Sequence, residues 1–396
     1  MAQQTIKVPS LGRVEGDLDV KVTIENGVVV DAWTEATMFR GFEKILVGKD
    51  PQAGLIMTPR ICGICGGSHL TKSAYALDTA FHTEVPPNAT LVRNIAQAVE
   101  TIQSIPRWFY ALFAIGLTHK NYQSSPLYEE VNRRWAPFVG VNYEKGVTLS
   151  AKPVEIYAIF GGQWPHSSFM IPGGVMCAPT LSDVTRSISI MEHFRKNWLE
   201  DILLGCSMER WLENKTWSDV LEWLEEKEEH YESDLGLFIR YSMDIGLDKY
   251  GAGPGKYLAA GSFPNPEKYT HPTIDSRNGA LIARSGVYDG ENYHDFDQAR
   301  IREDHTHSFY EGTGSYHPFE GFTNPLDPEE GVKQGKYTFA KAPRYLLDSG
   351  ETPLEVGPLA RQMIAGREGA EDWQDYDPLI SNIVKEIGPS AMVRVL

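Results

Sequence analysis

Over residues 5–39 apolar and polar side chains alternate: Ile6 and Val8, then Leu18, Val20, Val22 and Ile24, then the run Val28 to Val30. A period of two sends successive side chains to opposite faces of a strand. Glu25-Asn26-Gly27 separates two of these runs, and Asn-Gly tolerates the positive φ angles of a tight hairpin. The pattern therefore predicts an antiparallel β-meander. From about residue 70 the spacing becomes helical. Leu91, Ile95, Ala98, Ile102 and Ile105 recur at three or four residues, and Pro106 is expected to end that helix because proline lacks the amide donor and crowds the preceding turn. Trp108, Tyr110, Leu112 and Phe113 open a further apolar segment.

Two later helices carry start signals: Thr180 and Asp183 before Ile188, Met191, Phe194 and Trp198, and Thr216 and Asp219 before Val220, Trp223 and Leu224. Each has the spacing of a capping box, in which side chains take up the first unpaired backbone donors. The acidic run Glu225, Glu226, Glu228 and Glu229 reads as a solvated face. Residues 251–345 are rich in Gly, Pro, Asp, His and Tyr with little periodicity, which predicts short strands and long ordered loops. The expected fold is α+β: mainly an α-helical bundle, with an N-terminal antiparallel β-meander and loop-rich peripheral segments. One domain is expected over 1–396, divided into a β-rich start (1–60), a helical core (61–250), a loop and short-strand region (251–345) and the start of a C-terminal helical part (346–396).

Composition narrows the function classes. Hydrophobic residues are 42% and charged residues 23% of the chain, which excludes intrinsic disorder. The net charge of −16, from 37 Lys+Arg and 53 Asp+Glu, repels phosphate backbones and anionic headgroups, so nucleic acid is not an expected partner. The start MAQQTIKVPS has neither a basic nor an apolar region, and no apolar run reaches the ~18 residues a membrane span needs. The expected location is cytoplasmic, peripheral at a membrane only through partners. Four cysteines (Cys62, Cys65, Cys177 and Cys206) are too few for a disulfide scaffold, which turns attention to metal or redox chemistry.

The sharpest motif is Arg60-Ile61-Cys62-Gly63-Ile64-Cys65-Gly66-Gly67-Ser68-His69. Two thiols three positions apart can meet one metal, and the glycines allow close backbone approach and amide donors toward a thiolate. By itself this leaves a structural zinc half-site or a thioredoxin-like redox pair open. Cys177 and Cys206 form no second CxxC and read as small buried hydrophobes. Asp304-His305-Thr306-His307 lacks a fourth partner for a metal, and Gly251-Ala252-Gly253-Pro254-Gly255 lacks the strand and helix that make a phosphate loop, so it reads as a turn.

With Arg13-Val14-Glu15-Gly16 and Arg40-Gly41-Phe42-Glu43 upstream, followed by Gly161-Gly162-Gln163-Trp164-Pro165-His166, Pro172-Gly173-Gly174-Val175, Lys341-Ala342-Pro343-Arg344 and Leu354-Glu355-Val356-Gly357-Pro358-Leu359-Ala360-Arg361, the chain resembles the large subunit of nickel-iron hydrogenases. Lys120-Asn121-Tyr122 and the segment Asp244 to Tyr250 look closest to the cyanobacterial-type uptake and related group 2 enzymes. The resemblance implies that Cys62 is a terminal nickel ligand and that Cys65 bridges nickel and iron, whose remaining ligands are CO and cyanide. It implies that His69 donates a hydrogen bond to a cysteine sulfur, that Glu15 relays the proton of heterolytic H2 cleavage, that Glu43 is a ligand of a structural Mg2+, and that the Arg344 guanidinium hangs over the metal pair. The implied activity is H2 oxidation, with electrons passed to an iron-sulfur small subunit because this chain has too few cysteines for such clusters. Maturation protease and metal chaperones are implied as further partners. The alternatives are an H2-sensing regulatory subunit and a metal-free truncated scaffold.

Two departures from the family stand out. Where relatives carry an aspartate paired with the suspended arginine, this chain has Gly116. Relatives also continue past the segment matching Val393 to Leu396 into a second cysteine pair followed by histidine. The expectation is that a separate polypeptide carries that second CxxC, or that a gene or protein has been cut short.

Overall fold

The computed structural model describes residues 3–9, 16–268, 280–321 and 323–396. The chain packs as two compact units, residues 1–49 with 297–354 and residues 50–296 with 355–396.

In the first unit the predicted meander is present: the strands Gln4–Val8, Leu18–Glu25 and Val28–Ala36 form an antiparallel sheet in that order. Asn26 (φ 53°) and Gly27 (φ 82°) make the hairpin turn, as the dipeptide requires. A second sheet aligns Ser315–Tyr316, Ile301–Asp304, Ala342–Leu347 and Gly350–Thr352, all antiparallel. The end of the first sheet is tied to residues beside the second: Phe339 N donates to the Ala36 carbonyl at 2.8 Å and Ala36 N to Thr338 Oγ1 at 2.8 Å.

The second unit is mainly helical around two apolar clusters. One gathers Phe109, Trp135, Trp198, Trp223, Phe238 and Tyr241, and the other Leu70, Val92, Val99, Ile156, Tyr157 and Phe169. Both capping boxes form as read: Asp183 N donates to Thr180 Oγ1 at 3.2 Å while Thr180 N donates to Asp183 Oδ2 at 2.8 Å, and Thr216 and Asp219 do the same. Glu225, Glu226, Glu228 and Glu229 are exposed.

The long helix Pro87–Arg107 corrects two expectations. Pro106 lies inside it, and the helical path continues as a π-type segment, Trp108–Phe113. The wider turn is a way for the hydrogen-bond ladder to continue past a residue without a donor. The buried face is also rotated from the one the apolar spacing suggests. Leu91, Ile95 and Ile105 are exposed, while Val92, Arg93, Asn94, Ala96, Val99, Glu100 and Gln103 are buried. Polar side chains can occupy that face because they find partners there. Arg93 Nη1 donates to Asp78 Oδ2 at 2.6 Å, and Asn94 Nδ2 to the Pro264 carbonyl at 2.8 Å.

Residues 251–268 and 280–296 are more regular than their composition suggests: Tyr257–Pro264 and Leu281–Tyr288 pair antiparallel, with Tyr293–His294 on the outer side. Gly251 to Gly255 form a turn closed by Arg394. Its Nε and Nη2 each lie 2.7 Å from a Glu355 carboxylate oxygen, and its guanidinium also donates to the Gly251 carbonyl. Gly253 sits at φ +67°, and a Cβ there would come within 2.7 Å of Arg394 Nη2.

Candidate metal centre

Cys62 and Cys65 occupy the bend between the 3-10 turn Thr58–Arg60 and the helix Gly66–Phe81, and Cys65 immediately precedes the first helical residue. His69, one turn on, donates its backbone N–H to the Cys65 carbonyl at 3.3 Å. Cys62 is buried and Cys65 half-buried, and neither is engaged in a disulfide. The thiols thus stand where backbone N–H groups and the helix dipole favour an anion.

The two glycines that follow are fixed by contact. A Cβ on Gly66 would lie 2.8 Å from the Pro59 carbonyl oxygen, and one on Gly67 would lie 2.6 Å from the Tyr157 ring and 2.9 Å from Glu100 Oε1. No larger residue fits without displacing these neighbours.

A helix start needs acceptors for its first N–H groups, and the Cys65 side chain supplies none. Glu100, from the buried face of Pro87–Arg107, supplies them instead. Its carboxylate accepts from Gly67 N at 2.8 Å, Ser68 N at 2.7 Å, Ser68 Oγ at 2.9 Å and Trp164 Nε1 at 3.2 Å. Burial, with this carboxylate close by, raises the Tyr157 phenol well above its ordinary range. From the other side, His166 Nδ1 donates to the Pro59 carbonyl at 2.9 Å. The Gly161 to His166 motif therefore braces the cysteine bend twice, through Trp164 and through His166. Glu100 escaped the sequence reading because apolar spacing assigned it to the polar face. The available signal was its phase, one turn after Ala96 and in line with Gln103.

The Pro172-Gly173-Gly174-Val175 motif has a structural use. Asp78 Oδ1 accepts from Gly173 N at 2.7 Å, and Arg93 Nη2 donates to the Gly174 carbonyl at 3.0 Å and the Ile171 carbonyl at 2.7 Å.

The structure brings Cys62, Cys65 and His69 together on one bend and helix start. Glu43 and Arg344 belong to the other compact unit, and Glu15 lies outside the described residues. Glu43 is exposed in the first turn of Phe42–Ile45, and together with burial it helps push the Tyr310 phenol up to about 12. Arg344 is half-buried in Ala342–Leu347, opposite Arg302, with Nη1 donating to the Pro343 carbonyl at 2.8 Å. Asp304 Oδ1 accepts from Thr306 N at 2.7 Å, His305 is buried, and His307 stacks on Tyr337. Cys206 accepts from Trp223 Nε1 at 3.3 Å, and burial raises the Cys177 thiol above its ordinary range. Among the described residues no three His, Cys, Asp or Glu side chains group as a metal site.

The sequence profile of the nickel-dependent hydrogenases matches residues 40–119 and 115–393. The chain belongs to the nickel-dependent hydrogenases. Among its relatives in that family, the periplasmic [NiFeSe] hydrogenase large subunit of Desulfomicrobium baculatum is 29% identical over 96% of this chain and 67% of its own length. The uptake hydrogenase large subunit of Rhizobium leguminosarum bv. viciae is 26% identical over 97% and 71%. The H2-activated [NiFeSe] hydrogenase of Dm. baculatum superposes with a TM-score of 0.75 at 27% identity, covering all of this chain and 76% of that one. The large subunits of nickel-dependent hydrogenases are catalytic components of oxidoreductases, and the α+β fold here is theirs. Two reduced thiols on one bend suit nickel, a metal that soft sulfur ligands select well. Among the described residues no helix is long and apolar enough to cross a membrane.

Proposed function

We propose that this chain oxidises H2 as the catalytic subunit of a nickel-iron hydrogenase and passes the electrons to an iron-sulfur small subunit. The observation that carries the reading is the reduced Cys62 and Cys65 pair on the bend before Gly66–Phe81, in a chain of the nickel-dependent hydrogenase family. Cys62 and Cys65 would hold the nickel-iron centre, with CO and cyanide on its iron. Bound there, the metal pair would supply Lewis acidity and redox capacity for splitting H2 into protons and electrons.

The chain's own residues then have three tasks. Glu15 takes the proton away from the cysteine sulfur, as a positioned general base does. His69 orients a cysteine sulfur by hydrogen bonding, and Arg344 presents a permanent cation to the reacting face. Glu43 contributes an oxygen ligand to a structural Mg2+, a hard cation that suits a carboxylate.

The test is nickel analysis and H2-dependent dye reduction by the native complex. Wild-type complex should contain nickel and reduce dye, whereas Cys62→Ser and Cys65→Ser should lose both; a wild-type complex without nickel would overturn the reading.

A further inference from the structure

We infer that Glu100 is a positioning residue for the nickel-binding cysteines, acting through the backbone that carries them. The inference rests on the reading of Cys62 and Cys65 as nickel ligands. Among the described residues four donors and no acceptor converge on this carboxylate: the amides of Gly67 and Ser68, the Ser68 hydroxyl and the Trp164 indole. Glu100 is 2% exposed, and no cation is among those hydrogen-bond partners. It is therefore a buried anion held by neutral dipoles, the second and third amides of the helix that starts just after Cys65.

Two consequences follow. The first is geometric: Gly67 and Ser68 are the second and third residues after Cys65, so fixing their amides fixes the bend on which that sulfur sits. Trp164 orients the carboxylate from behind and is itself covered by the Arg107 guanidinium, 5.4 Å from its ring, while His166 holds the Pro59 carbonyl on the entering side of the bend. This assigns the Gly161 to His166 motif a role as the brace of the cysteine bend. The second is electrostatic. A buried negative charge beside the helix start opposes the positive end of the helix dipole, so the sulfur pair is kept more electron-rich than the helix alone would leave it. Groups that touch ligands rather than metal tune affinity and redox potential in this way.

The test uses the complete native complex with Glu100→Gln, Glu100→Asp and Trp164→Phe. Nickel retention against a chelator and the nickel midpoint potential, followed by electron paramagnetic resonance, are measured without reference to turnover. Glu100→Gln places an amide N–H against the converging donors and removes the charge. Nickel retention should fall about 10–100-fold, in the range for such supporting groups, and the midpoint potential should rise because the electron-rich state loses a repelling charge. Glu100→Asp keeps the charge and should return the potential toward wild type. Trp164→Phe removes one donor and no charge, so it should lower retention several-fold, speed hydrogen exchange at the Gly67 and Ser68 amides and leave the potential near wild type.

Wild-type retention and potential in Glu100→Gln would overturn the inference, as would equal rises of potential in Glu100→Gln and Trp164→Phe. If Glu100→Gln does not assemble, Trp164→Phe decides: faster amide exchange with nickel loss supports the coupling, and wild-type values for both overturn it. Nickel missing from wild-type complex, or retained in Cys62→Ser and Cys65→Ser, instead overturns the assignment of the cysteines.

Discussion

Gly67 shows how much a single position can be constrained by what lies next to it. Its backbone runs so close to Tyr157 and Glu100 that a methyl group would meet both within 3 Å. Inserting one carbon into such a contact costs about 1–3 kcal/mol through forced shifts. Gly67→Ala should lower the urea midpoint of unfolding accordingly, whereas Gly63→Ala, with no atom of the described residues within 4 Å of the added carbon, should change it far less. The sequence marks Gly66 and Gly67 as unusual only by adjacency to the cysteines. Gly66 is fixed by the nearby Pro59 carbonyl, whereas the reason for Gly67, a ring from one helix and a carboxylate from another, is supplied by partners far away in the chain.

At the scale of elements, the buried pair Asp78 and Arg93 ties two helices to the short hairpin at Pro172 to Val175. Both side chains are almost fully buried, at 0% and 1% exposure, and each also bonds the hairpin backbone. Removing one member leaves an uncompensated buried charge, a loss of about 3–5 kcal/mol. Asp78→Asn should therefore destabilise the protein by about that amount in urea titration, without involving any proposed metal ligand. Local signals read well at this scale: the Asn-Gly hairpin and the two capping boxes formed as their spacing demands, because each is satisfied by residues within one turn of itself. The helix Pro87–Arg107 did not. Its apolar residues Leu91, Ile95 and Ile105 are exposed and its charged Arg93 and Glu100 are buried, because their partners lie outside the helix and no periodicity within it registers them.

Across the whole molecule, acidity dominates, with a net charge of −16, and stability in acid depends on how individual carboxylates are held. Glu130 is lowered from 4.5 to about 2, first by its hydrogen bond with Arg133 and then by Arg134. The backbone N–H of Asn292 does the same for Asp289, which also falls to about 2. A carboxyl that is more acidic when folded contributes stability above its unfolded value and loses it as pH falls toward the folded one. The melting temperature should thus decline between about pH 4.5 and pH 2 through this term. Glu130→Gln should show a shallower decline over that window when melts are compared at each pH, and a decline as steep as wild type would remove Glu130 from the account.

By itself the sequence determined the α+β class, the helix starts, the hairpin and the cysteine motif by which the chain resembles the hydrogenases. These are carried by neighbours in the chain: a period, a cap, a turn dipeptide, two thiols three apart. Tertiary structure decided what surrounds them. It grouped residues 1–49 with 297–354, turned a polar helix face inward, aimed Glu100 at the amides after Cys65, and gave the Gly161 to His166 and Pro172 to Val175 motifs their contacts. The physical reason is that a buried polar group is tolerable only where partners converge on it, and those partners are chosen by packing between segments rather than by the order of residues within one.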